Sequence, residues 1–283
     1  MKLQYNTCNH LIEILKEQPE SAKSVFEFVK TAYQPEDEKQ CMLDTKAVRV
    51  LVNVVEANPQ LAEPIFEFVK TNFQLEEKKI VTCKIMSEIV KAQPKFAEKA
   101  FSRVNIVLHS DENDAMTLAS AYETLSEIVK AQPELAEKAL SLVNIELHSG
   151  ENDDMSLASA YETLSKIVIA KPELAEQVFT TFNTALQSDE NGFVPLETFF
   201  ENSSEIVKEQ PQLADQVFGA VKTALHSCKN EEELSYLLKD AHNCLAEIVR
   251  AKPEIAQKMR DDIKMSSDKM EILFKNQRDL AGR

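Results

Sequence analysis

The segment SEIVKAQPKFAEKAFSRVNIVLHSDENDAMTLASAYETL, residues 87–125, recurs directly as SEIVKAQPELAEKALSLVNIELHSGENDDMSLASAYETL, residues 126–164. Fainter copies flank this pair, and each carries a proline followed by an acidic or polar residue, a hydrophobic residue and usually alanine. These repeat prolines lie about 39 residues apart, at Pro19, Pro59, Pro94, Pro133, Pro172, Pro211 and Pro253. A fixed period of roughly 20–50 residues is typical of a repeat solenoid.

Each period has the apolar spacing of two helices, which we call helix A before the repeat proline and helix B after it. Apolar residues recur at intervals of three and four on both sides of Pro133: Leu118, Ala121, Tyr122, Leu125, Ile128 and Val129 before it, and Leu135, Ala136, Ala139, Leu140, Val143 and Leu147 after it. Proline cannot continue helix A because it lacks an N–H group, but it fits the first position of helix B.

A single hairpin of this kind exposes one apolar face of each helix, so neighbouring hairpins must stack to bury it. The sequence therefore predicts an all-α fold, an α-solenoid of about seven stacked two-helix repeats. We expect one domain over residues 1–283 without an internal boundary. Because terminal repeats have to cover an exposed core, we expect atypical capping ends at about 1–10 and 259–283.

Composition and charge restrict the classes of partner. The formal net charge is −15 and no basic row is evident, which disfavours binding to nucleic acid or to anionic membranes. No stretch has the roughly 20 apolar residues that span a bilayer, so membrane insertion is not expected. The five cysteines are scattered without a C-x-x-C pair, which favours free thiols and a cytoplasmic location: Cys8, Cys41, Cys83, Cys228 and Cys244.

The period near 39, with two helices per unit and a proline between them in EIVKAQPELAEKAL, resembles HEAT or armadillo-type repeats. Tetratricopeptide repeats are the near alternative, but their period is shorter and their aromatic and glycine positions find no match here. The resemblance covers nearly the whole chain. It implies an α-solenoid that binds a protein or an extended peptide on a concave face lined by helix B.

A polar residue recurs eleven positions after the repeat proline and forms what we call the polar row: Lys30, Lys70, Asn105, Asn144, Asn183 and Lys222. Stacking would align these side chains on helix B. The resemblance implies that such an asparagine row hydrogen-bonds a peptide backbone, since an amide both donates and accepts. The alternative is that duplicated units retain a solvated polar residue.

A second repeated feature is the acidic row, in the loops that lead from helix B to the next helix A: Asp111, Glu112, Asp114, Glu151, Asp153, Asp154, Asp189, Glu190 and Glu231–Glu233. One interpretation is that this row attracts a basic segment of a partner, or divalent cations. The alternative is structural, because acids at helix N-termini complement the helix dipole. From Asp111 the loop has methionine and tyrosine where an EF-hand needs glycine and glutamate, so we expect no calcium site.

Three histidines share one repeat position at the end of helix B: His109, His148 and His226. Stacked helices would hold them about 8–10 Å or more apart, too far for one metal ion, so we predict no metal site and no cofactor.

The sequence contains no P-loop, G-x-S-x-G or H-E-x-x-H motif. We therefore predict a non-enzymatic scaffold or adaptor that binds a protein or extended peptide, with an unknown oligomeric state. Two alternatives stay open. One is a secreted bacterial effector that binds a host protein and acts in the host cytoplasm, since the near-identical repeats indicate recent duplication. The other is a helical-repeat enzyme whose site is not visible in the sequence.

Overall fold

A computed structural model describes residues 3–33, 41–72, 79–110, 113–147, 153–186, 193–227 and 231–258. These ranges contain helices and turns but no β-strand, which confirms the predicted all-α fold. Helix A of successive repeats is α1 (Tyr5–Glu17), α3 (Cys41–Ala57), α5 (Lys79–Ala92), α7 (Ala115–Ala131), α9 (Asp154–Ala170), α11 (Phe193–Glu209) and α13 (Glu231–Ala251). Helix B is α2 (Ala22–Ala32), α4 (Ala62–Asn72), α6 (Ala97–Leu108), α8 (Ala136–Leu147), α10 (Ala175–Leu186) and α12 (Ala214–Ser227).

The repeat proline separates the two helices in the predicted place, with one refinement. In six of the seven repeats the proline begins a three-residue 3₁₀ turn, such as Pro133–Leu135, and the α-helix starts at the alanine that follows, whereas Pro253 begins an ordinary turn. The residue before the proline leaves the helical region, as Gln132 does with φ −145° and ψ 85°, because the proline ring disfavours a helical neighbour. Its carbonyl then accepts from the Leu135 N–H at 3.0 Å, which closes the turn.

The chain falls into two compact units, Met1–Leu135 and Ala136–Arg283, and we describe each by itself. The division lies between a 3₁₀ turn and helix α8, inside a predicted repeat. The single domain over 1–283 stays a prediction. Helix α1 begins at Tyr5, within the predicted N-terminal end, and the predicted C-terminal end at 259–283 lies outside the described residues.

In the first unit the A helices stack in order, α1 on α3, α3 on α5 and α5 on α7, while α2, α4 and α6 each pack against the next A helix. The Thr124 hydroxyl on α7 donates to the Cys83 carbonyl on α5 at 3.0 Å, so a buried hydrogen bond joins two stacked A helices. On the B side, the Phe66 and Phe96 rings stack with centroids 5.7 Å apart. The first unit is thus a stack of two-helix repeats.

The second unit repeats this arrangement in two layers. Helix α9 packs on α11 and α11 on α13, while α8 packs on α10 and α10 on α12. Tyr161, Phe182 and Phe199 meet edge to face, with centroids 5.2–6.3 Å apart, and link the two layers. Burial raises the pKa of the Tyr161 hydroxyl far above its ordinary value, as expected inside an aromatic core. We call the layers of each unit the A layer and the B layer.

Candidate binding surface

All six members of the polar row lie on B helices, as the spacing predicts. Lys30 and Lys70 are exposed, and each pairs with a glutamate one turn earlier: the Lys30 Nζ lies 3.2 Å from Glu27, and the Lys70 Nζ lies 3.5 Å from Glu67. Each exposed ion pair of this spacing contributes only about 0.3 kcal/mol to the free energy of unfolding. These two lysines are therefore solvated positions with little structural role.

The asparagines of the polar row are half-buried and differ from the exposed lysines. The Thr181 hydroxyl on α10 donates to the Asn144 Oδ1 on α8 at 2.5 Å. Asn144 therefore lies at the junction between α8 and α10. The Asn144 carbonyl has this partner within the fold, whereas the Asn183 Oδ1 is buried and has no hydrogen-bond partner among the described residues.

An exposed isoleucine follows the asparagine in both duplicated segments, and sequence reasoning missed it. Ile106 is 60% exposed next to Asn105, and Ile145 is 57% exposed next to Asn144. The signal was available, because the other repeats place threonine at this position, and each hydroxyl donates to a carbonyl of its own helix: Thr31, Thr71, Thr184 and Thr223. We call Asn105–Ile106 and Asn144–Ile145 the Asn–Ile pairs.

Two members of the acidic row act as helix caps. The Asp114 carboxylate accepts from the Thr117 N–H at 2.7 Å, and the Asp153 carboxylate accepts from the Ser156 N–H at 2.8 Å, at the starts of α7 and α9. Asp154 is exposed in the first turn of α9. The remaining predicted members lie outside the described residues or have side chains that are not described: Asp111, Glu112, Glu151, Asp189, Glu190 and Glu231–Glu233.

The two described histidines of the repeated position bond to their own helices. The Nδ1 atom lies 2.9 Å from the Asn105 carbonyl in His109, and 2.6 Å from the Lys222 carbonyl in His226. His148 lies outside the described residues. Within the described ranges, no group of three or more histidine, cysteine, aspartate or glutamate side chains could hold a metal ion.

The buried thiols are poor nucleophiles. Burial raises the pKa of the Cys83 and Cys244 thiols to about 12, and burial also raises that of Cys8. A thiol of this kind is protonated at neutral pH, and the thiolate is the reactive form.

Comparisons with known proteins bear on the fold. No protein-family model matches the chain. No curated protein matches it either. Among solved structures, the chain is similar to a chain of a structure titled "Homology model of the full-length AP-3 complex in an intermediate open conformation", with a TM-score of 0.51 and 10% identity. The match covers 95% of this chain and 47% of the other, so the chain spans about half the length of that neighbour. The likeness supports the helical repeat fold.

None of the helices in the described ranges combines the length and the apolar character needed to cross a bilayer.

Proposed function

We propose that this chain is a non-enzymatic scaffold or adaptor that binds a protein or an extended peptide on the B layer of each unit, in the cytoplasm of the cell that makes it or of a host cell. The structural neighbour belongs to a multi-protein complex. From it we take only the idea that a helical repeat stack of this kind offers a surface to other proteins. The partner is expected to present a basic segment where it meets the acidic row.

The Asn–Ile pairs carry this proposal. A half-buried amide can donate to and accept from an extended backbone, and a neighbouring exposed isoleucine can cover an apolar side chain of the same peptide. A single exposed apolar residue is ordinary on a protein surface. Here, however, the isoleucine returns at the same position in two successive repeats where the other repeats have a self-bonded threonine.

The test is selection from a displayed library of random twelve-residue peptides, followed by fluorescence anisotropy with the selected sequences. We compare the wild type with Asn105→Ala/Asn144→Ala/Asn183→Ala and with Ile106→Thr/Ile145→Thr, the second of which installs the residue used by the other repeats. Each variant is expected to weaken binding about ten-fold or more, since central interface side chains cost about 1–2 kcal/mol or more when truncated.

The matched control is Ser102→Ala/Ser141→Ala/Thr180→Ala, on the same three B helices. These side chains are exposed and donate to carbonyls of their own helices, so the control should bind like the wild type. Thermal melts followed by circular dichroism check that all variants fold. Failure to select any peptide, or equal affinity of the wild type and both test variants, would refute binding along the B layer.

A further inference from the structure

Helix α6 and the turn before it carry three cations on one face. Lys95, Lys99 and Arg103 are spaced by four residues, and Ile106 follows three residues later. Side chains at these spacings are neighbours on a helix surface, so the four residues form a continuous band that we call the cationic stripe. The stripe lies in the B layer of the first unit.

The three cations of the stripe have different surroundings. The Lys99 Nζ lies 3.2 Å from the Glu63 carboxylate and 5.3 Å from the centroid of the Phe96 ring. The Lys95 Nζ lies 5.2 Å from the same ring. Arg103 is half-buried, its Nε atom is inaccessible to solvent, and among the described residues its guanidinium has neither a hydrogen-bond partner nor a carboxylate partner.

Among the described residues, no carboxylate pairs with Arg103. Its charge acts on the Cys83 thiol of α5 and lowers the pKa of that thiol, but burial has the larger opposite effect and holds the pKa at about 12. The thiol therefore stays neutral at physiological pH. A partly buried guanidinium that lacks an anion carries an uncompensated desolvation cost, which a carboxylate from outside would relieve.

The positive charge of Arg103 is not found at the corresponding position of the other repeats with a described helix B. The residues that correspond to Lys95, Lys99 and Arg103 in the nearly identical segment 126–164 are Glu134, Lys138 and Leu142. In the other repeats with a described helix B, the position of Arg103 is occupied by Phe28, Phe68, Thr181 and Ala220. Stacking therefore does not require a cation there. Local departures from a structural pattern are expected at functional positions.

We propose that the cationic stripe binds an acidic, extended segment of the protein partner, with a carboxylate paired to the Arg103 guanidinium and an apolar side chain over Ile106. This inference rests on the proposed function and specifies the partner chemistry at one part of the B layer. Guanidinium is suited to pairing with carboxylate through two parallel hydrogen bonds, and arginine is enriched at the energetic centres of protein interfaces.

A protein segment fits the stripe better than a nucleic acid or a membrane. The cations span only about 12 Å, from eight residues at 1.5 Å each, a length that matches a short peptide segment and is short for a nucleic-acid backbone or a bilayer surface. The exposed isoleucine at the end of the stripe adds an apolar contact that a phosphate backbone would not use.

The experiment measures fluorescence anisotropy of the full chain with two labelled twelve-residue peptides, one carrying four glutamates and two leucines, the other with lysines in place of the glutamates. We expect the acidic peptide to bind and the lysine peptide to bind at least ten-fold more weakly. Arg103→Gln should weaken the acidic peptide about 10- to 100-fold, since a hydrogen bond to a charged group corresponds to that range of affinity. Arg103→Lys should recover only part of the loss because lysine keeps the charge without the planar fork.

Ser102→Ala, on the adjoining face of α6, is the matched control and should leave the affinity unchanged. The proposal is overturned if the lysine peptide binds equally well, if Arg103→Gln has no effect in a variant of unchanged melting temperature, or if single-stranded DNA or phosphatidylserine vesicles bind more tightly than the acidic peptide in an Arg103-dependent way. If library peptides depend on the Asn–Ile pairs but are insensitive to Arg103, this inference fails while the proposed function stands. If no library peptide binds at all, the proposed function fails as well.

Discussion

Helices α6 and α8 have nearly the same sequence, AEKAFSRVNIVL and AEKALSLVNIEL. They differ at the position occupied by Arg103 in α6 and by Leu142 in α8. Both bury the alanine that opens the helix and a central valine, Val104 or Val143, and both place a half-buried asparagine before an exposed isoleucine. At the position nine residues after the repeat proline, Leu142 is only 3% exposed, whereas Arg103 is half-buried and has no anionic partner among the described residues. The same repeat position is thus part of the apolar core in α8 and carries a cation in α6, although the buried positions around it are shared.

The largest effect is expected from exchanging the residues that differ. Leu142→Arg should destabilise the protein by about 3 kcal/mol, because a guanidinium would replace a buried apolar side chain without an anion nearby. Arg103→Leu should stabilise it by about 1 kcal/mol, because the unpaired charge is removed. Urea denaturation followed by circular dichroism measures both changes.

Leu142→Met is the control for the first substitution and should cost less than about 1.5 kcal/mol, since it conserves volume. If Leu142→Arg and Arg103→Leu both change the free energy of unfolding by less than about 0.5 kcal/mol, the position of Arg103 and Leu142 contributes equally little to stability in both helices. The difference between α6 and α8 would then not affect stability.

The pH dependence of stability tests the surroundings of Arg103 through Cys83, because the Arg103 charge lowers the pKa of this thiol. Its pKa is about 12 in the folded protein against an ordinary value of 9.0, so the folded state holds the proton more tightly. The contribution of the protonated thiol to the free energy of unfolding is fully present below pH 9. It is lost as the pH rises from 9 toward 12, by about 1.4 kcal/mol per pH unit. Relative to Cys83→Ala, the wild type should therefore lose about 1.6 kcal/mol between pH 9 and pH 10.5.

Cys244→Ala provides the matched experiment in the second unit, where burial again raises the pKa of the thiol to about 12. The same difference in pH dependence is expected there. Arg103→Leu should raise the pKa of Cys83 further without changing that of Cys244. A pH-independent difference between the wild type and Cys83→Ala would show that the thiol is accessible to water in the folded state.

The fold could be predicted from the sequence because every feature that specifies it is repeated. The apolar spacing and the proline recur in each repeat at a fixed period. A wrong helix prediction in one repeat is therefore corrected by comparison with the others. The surface could be predicted only in part. The position of the polar row on helix B followed from its spacing, but the Asn144–Thr181 bond depends on the register of two neighbouring helices, which no single repeat specifies.

The cationic stripe was missed for a related reason. Arg103 departs from the repeat, and pattern reasoning favours what recurs. The significance of the residue also depends on the absence of a carboxylate partner among the described residues, which only three-dimensional neighbours reveal. Ile106 and Ile145 could have been found by asking which positions break a row of threonines.

The helix caps should behave alike in the two duplicated segments. Asp114→Ala and Asp153→Ala each remove a carboxylate that accepts from a backbone N–H three residues later, so each should cost about 1 kcal/mol. Asp154→Ala, next to the second cap, is the control and should cost less than about 0.5 kcal/mol. Chemical denaturation measures all three. If only one of the two cap substitutions lowers the free energy of unfolding, the duplicated segments have diverged at this loop as well as at the position of Arg103 and Leu142.

The smallest effects are expected from ion pairs of the A helices, and here too equivalent positions differ. Glu127 pairs with Lys130 within α7 at 2.8 Å, whereas the corresponding Lys166 on α9 pairs with Glu205 on α11. Each pair joins a largely buried side chain to an exposed one, Lys166 at 11% with Glu205 at 44%, and Glu127 at 18% with Lys130 at 44%, so solvent screens the two pairs to a similar extent. The pairs differ in that Lys166–Glu205 joins two helices, whereas Glu127–Lys130 lies within one helix. Double-mutant cycles with alanine should give a coupling of about 0.3–1 kcal/mol for each pair, and raising sodium chloride from 0.05 to 1 M should weaken both. A coupling that survives high salt in only one of the two pairs would contradict this equivalence.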